Sequence, residues 1–274
     1  MRCKPKKQII IQGHRGCRGL LPENSIPAFE KAMDLGINTI ELDIAITKDR
    51  LVVVSHEPYM NPLICSQPNG SEIKVSDEKI NLYKLTHNEI KQYDCGSKFH
   101  PKYPNQEKLK TYKPLLAEVF ELAKVKNSDV SFSIEIKSKP EYYDVFTPPP
   151  ETYVKLILEE INKHEMFNHV NLQSFDIAIL EEVYIQSPKM RVALLVDDNE
   201  TINTKLNTIS YKPDIVSPYY KLLTAEAVDS YQRQGFLIIP WTINKEEDLK
   251  RMIAWNVDGI ITDYPNRLIE ILKD

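Results

Sequence analysis

Eight times along this chain a short β-rich run is followed by a stretch of helical apolar periodicity, and that alternation limits the fold more than any other feature. The β-rich runs lie at residues 9–12, 39–44, 131–136, 170–173, 191–196, 214–217, 237–241 and 259–262. Helical patterns occupy 25–35, 115–125, 152–164, 177–185, 201–207, 225–234, 245–255 and 266–272. Strands that alternate with helices build parallel sheets. Eight such units predict an α/β chain closed into a (β/α)8 TIM barrel, typically about 250 residues long, and the chain has 274. A doubly wound open sheet would not require eight repeats. The expectation is one barrel domain over residues 1–274.

Local signals refine this outline. Asn24 or Ser25 can cap the first helix, and Pro27 suits its first turn, where a missing N–H has no helical partner. Phe29, Ala32 and Met33 mark its apolar face, and Gly36 can end it. A further strand at 51–55 follows the second run after the turn Lys48-Asp49-Arg50, which predicts a hairpin. From residue 57 to 114 periodicity lapses, with prolines at 58, 62, 68, 101, 104 and 114. A structureless loop of that length conflicts with a compact domain. Residues 57–114 are therefore expected to form an insertion subdomain over one barrel mouth, with a helix near 87–93. Its lysines (98, 102, 108, 110, 113) read as solvated surface, as do His87, His100, His164 and His169.

Composition narrows the function. Lysine and arginine total 35 against 39 acidic residues, a net charge of −4, which argues against a general nucleic-acid binder. No apolar run approaches the roughly 18 residues of a transmembrane segment. The basic residues 1–7 precede an apolar stretch, 9–11, too short for a signal peptide. As it stands the chain is expected in the cytoplasm; an export signal already removed would leave the same residues and a periplasmic location. Cys3, Cys17, Cys65 and Cys95 form no CxxC pair, which excludes the usual zinc-ribbon or thioredoxin-like forms. They read as packed thiols, with a Cys65–Cys95 bridge left open because both fall in the irregular segment. Cys17 lacks a dedicated base and is not expected to be a nucleophile.

A barrel of this kind carries its site at the C-terminal ends of the strands. His14 and Arg15 follow the first strand. Glu41 and Asp43 stand two apart on the second, so both leave one face. His56 ends the hairpin strand, and Glu135 and Lys137 end the next one. Glu41, Asp43 and Glu135 offer three hard oxygen donors, suited to Mg²⁺ or Ca²⁺ rather than zinc. Without a cation, or Lys137, they would raise one another's pKa. His14 and His56 are proton carriers near neutral pH, and Arg15 and Lys137 supply positive charge for an anionic substrate. Trp241 can be core or a substrate wall, and Gln173 and Phe175 are weaker candidates. Glu23-Asn24-Ser25 reads as a cap before a site. A phosphodiester fits these parts.

The residues His14-Arg15-Gly16, Pro22-Glu23-Asn24-Ser25, Glu41-Leu42-Asp43, Thr47-Lys48-Asp49 and His56-Glu57 resemble the glycerophosphodiester phosphodiesterase family. So do Glu135-Ile136-Lys137, Gln173-Ser174-Phe175, Trp241-Thr242-Ile243-Asn244 and the run from Asp258 to Pro265, in order along almost the whole chain. The resemblance implies a (β/α)8 barrel in which His14 and His56 are general acid and base. It implies that Glu41, Asp43 and Glu135 ligate one divalent cation, Mg²⁺ or Ca²⁺, and that Arg15 and Lys137 hold the phosphate. The implied substrates are glycerophosphodiesters, small molecules cleaved to glycerol 3-phosphate and an alcohol. The glycerol hydroxyl would act as internal nucleophile. The rival readings are a barrel phospholipase acting on lysophospholipid, a non-catalytic barrel that binds a phosphorylated ligand, and a sugar-phosphate lyase or aldolase on the same fold. Head group, native cation, which histidine is the acid, and pairing into a homodimer stay open.

Overall fold

The computed structural model describes residues 8–75 and 79–273, so Cys3 and the basic residues 1–7 lie outside the described residues. It begins with β1 (Ile10–His14), α1 (Ile26–Asp34), β2 (Thr39–Ile46) and β3 (Val52–Val54), followed by α2 (His87–Ile90) and α3 (Leu116–Val125). Then come β4 (Ser131–Ile136), α4 (Pro150–Lys163), β5 (Val170–Ser174), α5 (Ile177–Gln186), β6 (Arg191–Val196) and α6 (Ile202–Leu206). The chain ends with β7 (Ile215–Pro218), α7 (Ala225–Arg233), β8 (Leu237–Ile238), α8 (Glu246–Ala254), β9 (Gly259–Thr262) and α9 (Pro265–Lys273). The strands run in the order β8-β7-β6-β5-β4-β2-β1-β9, all parallel, with β3 antiparallel on β2. This is the expected (β/α)8 barrel with the expected hairpin.

The seam between β8 and β9 is irregular. β8 is shorter than the five residues expected because Pro240 has no N–H to give a ladder. Three backbone bonds still close the seam: Asp258 N–H to Ile238 O (2.9 Å), Ile261 N–H to Pro240 O (3.0 Å) and Ile243 N–H to Ile261 O (3.0 Å).

The pleat sorts side chains between two environments. On β2, Ile40, Leu42 and Ile44 pack outward into the main core with the helices, while Glu41 and Asp43 alternate with them and turn inward. α1 shows why that core forms: Ser25 caps it by accepting the Ala28 N–H, and Ala28, Phe29, Ala32 and Met33 are buried. The barrel interior is itself divided. Ala193, Ile215, Ile239 and Ile261 make an apolar half, whereas β1, β2, β4 and β5 present polar groups. Strand register then sets the neighbours: His14 lies beside Glu41, Asp43 beside Glu135, and Glu135 beside Gln173.

Residues 57–114 pack over the hairpin. Met60, Cys65, Ile73, Leu82, Ile90 and Cys95 form a second apolar cluster with Ala45 and Val53. Cys65 and Cys95 are joined in a disulfide, and Cys17 is a buried free thiol. α2 begins with a capping box between Thr86 and Glu89, and covers only the first part of the helix expected there. Several surface expectations are corrected. Lys113 is buried and donates to Ser55 Oγ at 2.8 Å. His87 is buried with its Nε2 donating to Lys113 O at 3.1 Å, and His100 is buried with Nδ1 accepting the Lys102 N–H. His164 is buried between Glu121 and Glu160. In each case a partner compensates the lost hydration, which sequence periodicity does not report. His169, Lys102, Lys108 and Lys110 are exposed, as read, and Lys98 is partly buried. Among the described residues no helix is long and apolar enough to cross a membrane.

Candidate active site

The chain leaves β1 in a tight turn. Arg15 takes φ 51° and Gly16 φ 88°. A side chain at Gly16 would bring its Cβ within 2.9 Å of Ala28 on α1, so only glycine fits that approach. The left-handed backbone at Arg15 is costly for a residue with a side chain. It aims the Arg15 N–H at Glu41 Oε2, 3.0 Å away, while the guanidinium pairs with Glu23 Oε1 at 2.5 Å and Asp43 Oδ2 at 3.2 Å.

Glu41, Asp43 and Glu135 converge. Each is buried, and one carboxylate oxygen from each lies within 4.8 Å of the others. Gln173 Nε2 donates to Glu41 Oε1 at 3.1 Å, and the Asn24 amide donates to Asp43 Oδ2 at 2.9 Å. Lys137 Nζ pairs with Glu135 Oε1 at 2.5 Å. Asp43 Oδ1 is buried without a hydrogen-bond donor, with Lys137 Nζ 3.7 Å away. Burial, then the charges of Asp43 and Glu135, push the Glu41 carboxyl well above its ordinary range. Burial also raises Glu135, with Lys137 acting against it. Asp43 departs from the expected mutual elevation. Burial opposes its charge, but Arg15, His56, Lys137 and the Asn24 amide outweigh that and hold the carboxyl low. An orphaned buried oxygen among three crowded carboxylates is the chemistry that a hard divalent cation satisfies.

Both histidines are anchored through Nδ1. His14 Nδ1 lies 2.6 Å from Asp263 Oδ1, and His56 Nδ1 lies 2.8 Å from Glu57 Oε1. An ionised carboxylate can only accept, so each Nδ1 carries the proton and each Nε2 is left for chemistry. His14 Nε2 stands 3.9 Å from Glu41 Oε2. Burial lowers the His14 pKa to about 4 despite Asp263, so its ring is neutral at pH 7. Glu57 is pulled down to about 2, its burial outweighed by the bond and charge of His56.

His14, His56, Glu41, Glu135 and Lys137 line one cavity of about 330 Å³ at the C-terminal ends of the strands. Its far wall holds Phe175 and Trp241, edge-to-face at 5.6 Å, and Trp241 Nε1 donates to Ser217 O at 2.9 Å. A larger hollow, about 520 Å³, opens at the opposite end near Asn38, Ser128 and Asn168. It lies away from both anchored histidines and from the three carboxylates, so size does not locate the chemistry here.

A model of the glycerophosphoryl diester phosphodiesterase family matches residues 14–267. This chain belongs to that family. A glycerophosphodiester phosphodiesterase of Caldanaerobacter subterraneus is 33% identical over 96% of this chain and 98% of its own. A human lysophospholipase D is 24% identical over 98% of this chain and 88% of its own. A crystal structure from Silicibacter pomeroyi superposes with a TM-score of 0.89 at 26% identity, covering 99% of this chain and 95% of that one.

The structure brings the seven residues given roles by the resemblance, His14, Arg15, Glu41, Asp43, His56, Glu135 and Lys137, to one end of the barrel together with Trp241, read as core or substrate wall. It also shows groups that the sequence reading passed over. Arg18 lines the cavity and bonds Asp263 Oδ1 at 3.1 Å and Glu23 Oε2 at 3.3 Å. Glu23 and Asn24, read first as a cap, instead hold Arg15, Arg18 and Asp43. Asp263 follows β9 directly and Asn244 follows the β8 segment. Their position at barrel strand ends was the available signal.

Proposed function

We propose that the chain hydrolyses glycerophosphodiesters to glycerol 3-phosphate and an alcohol. The observation that carries this reading is two histidines, each with Nδ1 bound to a carboxylate, lining one cavity with Glu41 and Glu135 of a three-carboxylate cluster. In this reading Glu41, Asp43 and Glu135 hold one divalent cation, Mg²⁺ or Ca²⁺. Bound there, it would supply charge neutralisation and Lewis acidity toward a phosphoryl oxygen. His14, neutral and aimed by Asp263, is the base that takes the proton of the attacking glycerol hydroxyl through Nε2. His56, backed by Glu57, is the acid that protonates the departing alkoxide, and water then opens the resulting cyclic phosphate to glycerol 3-phosphate, with the two histidines returning their protons. Arg15 and Lys137 balance the diester's negative charge, and Trp241 closes the side of the pocket. Residues 1–274 act as one barrel domain, with 57–114 an insertion subdomain serving the site.

A second reading is favoured by the human lysophospholipase D relative: the same centre cleaving lysophospholipid. One experiment tests both. Release of glycerol 3-phosphate from glycerophosphocholine and glycerophosphoethanolamine is followed with EDTA, Mg²⁺ or Ca²⁺, beside choline release from lysophosphatidylcholine. Cation-dependent release from the diesters, abolished in His14→Ala and His56→Ala, is expected. Choline release from lysophosphatidylcholine alone would transfer the assignment to the lipase reading. Inertness toward all three substrates would leave a binding barrel.

A further inference from the structure

The segment 57–114 does more than pack over the hairpin. Between residues 100 and 107 it grips the loop that follows β1. Gln106 Nε2 donates to Arg18 O at 2.6 Å and Leu21 O at 3.1 Å, and Glu107 N–H donates to Leu20 O at 2.9 Å. That grip seats Tyr103 beneath Arg18, whose guanidinium lies 4.9 Å from the ring centre. The Tyr103 hydroxyl is buried and donates to Asp263 Oδ2 at 2.8 Å.

Asp263 thereby accepts four side-chain hydrogen bonds. Oδ1 takes His14 Nδ1 and Arg18 Nε, and Oδ2 takes Asn244 Nδ2 at 2.6 Å and Tyr103. A carboxylate has about four lone-pair sites, so the set is complete. Three donors come from barrel strands or the loops that leave them. Tyr103 alone comes from the segment 57–114. Its hydroxyl remains a donor at working pH, because burial and then Asp263 push its ionisation above the ordinary range.

We infer that Tyr103 is a positioning residue for the reaction: by closing the fourth bond on Asp263, the segment 57–114 fixes the plane and tautomer of His14. The inference rests on the proposed role of His14 as base. Without the Tyr103 hydroxyl, Oδ2 keeps only Asn244 as donor, and the carboxylate is held less firmly against rotation about its Cβ–Cγ bond. Tyr103 acts on His14 through Asp263 and is given no contact with substrate.

The test uses the full chain with Tyr103→Phe, Asp263→Asn and the double variant. Phenylalanine keeps the ring beneath Arg18 and removes only the hydroxyl. Tyr103→Phe is expected to lower kcat for glycerophosphocholine about tenfold, with KM within twofold. In the Asp263→Asn background the same change is expected to alter kcat less than twofold, because the group it acts through is gone. A wild-type kcat in Tyr103→Phe, or an equal loss in both backgrounds, would overturn the inference. A second readout needs no turnover. The imidazole ¹⁵N signals of His14, identified by their loss in His14→Ala, are expected to shift in Tyr103→Phe, and unchanged signals would count against the role. If the wild type cleaves none of the diesters, the function reading falls, and these signals still decide Tyr103.

Discussion

Replacing Asp263 by asparagine perturbs the orientation of His14 and leaves the three clustered carboxylates in place. The side chain is almost isosteric, but one acceptor oxygen becomes an NH₂ group. Four donors face the native carboxylate: His14 Nδ1, Arg18 Nε, Tyr103 Oη and Asn244 Nδ2. Whichever way the amide turns, its NH₂ meets donors on one side. If it faces His14, Nδ1 must surrender its proton to accept, and the proton moves to Nε2, where the lone pair is needed. If it faces the other pair, the Tyr103 hydroxyl can turn to accept, Asn244 Nδ2 loses its acceptor, and His14 Nδ1 is left on a neutral oxygen that no longer stabilises the imidazolium formed when the base takes its proton. Either outcome weakens the base. General acid–base catalysis contributes about 10²–10⁴ in rate, and a tenfold change corresponds to about 1.4 kcal/mol. The expected loss in kcat is thus about 10²–10⁴-fold, or about 3–5 kcal/mol of transition-state stabilisation, with KM little changed. Folding should suffer less, by about 1–3 kcal/mol for imperfectly satisfied buried groups. Steady-state release of glycerol 3-phosphate, with thermal midpoints measured beside it, checks both numbers. A kcat within threefold of wild type would refute the argument that Asp263 sets the His14 tautomer.

Glu57 offers a pH test of stability. Its folded pKa of about 2 lies below its ordinary 4.5. Its contribution is therefore complete above pH 4.5 and lost as pH falls toward 2, with an upper bound of about 3 kcal/mol. Glu57→Gln should be less stable than wild type at pH 7 and converge with it near pH 2; parallel melting curves across that range would contradict this. Gln173→Ala removes the amide that holds Glu41 Oε1 and should weaken Mg²⁺ or Ca²⁺ binding about 10–100-fold. Titration of the thermal midpoint with each cation reads that affinity, and equal midpoints would clear Gln173 of any role. The Cys65–Cys95 bond spans 30 positions in sequence, so the Cys65→Ser, Cys95→Ser pair should lose about 3–4 kcal/mol on loop-closure grounds. Chemical denaturation measures it, and an unchanged midpoint would show that the second apolar cluster holds residues 57–114 unaided.

Much of this was legible in the sequence because it depends on local spacing. Period-two alternation put Glu41 and Asp43 on one face of β2 and Ile40, Leu42 and Ile44 on the other, and the barrel follows from repeating that unit eight times. β8 was legible in existence but not in length, since Pro240 falls inside an otherwise convincing run. What stayed hidden depends on long-range placement. Lys113 and His87 read as surface because residue type predicts exposure, whereas each is buried against a partner 26 or more residues away. Tyr103 sits in a stretch with no periodicity at all, and its partner is 160 residues distant. Asp263 was quoted within a motif but given no role. Its role arises from the pairing of β1 with β9, and no local pattern carries that.

That pairing has a consequence for how activity arises during synthesis. A chain made as far as Trp241 already contains both histidines, all three clustered carboxylates, Arg15 and Lys137. It lacks the residue that tells His14 which nitrogen to protonate, because Asp263 is 249 positions further on and follows the last strand. Joining the two ends of the chain is a closure of high contact order, and such closures come late. On the proposed roles, the centre is completed by closure of the barrel rather than by synthesis of its reactive groups. A nascent or C-terminally clipped chain holds the parts of a hydrolase without its aim.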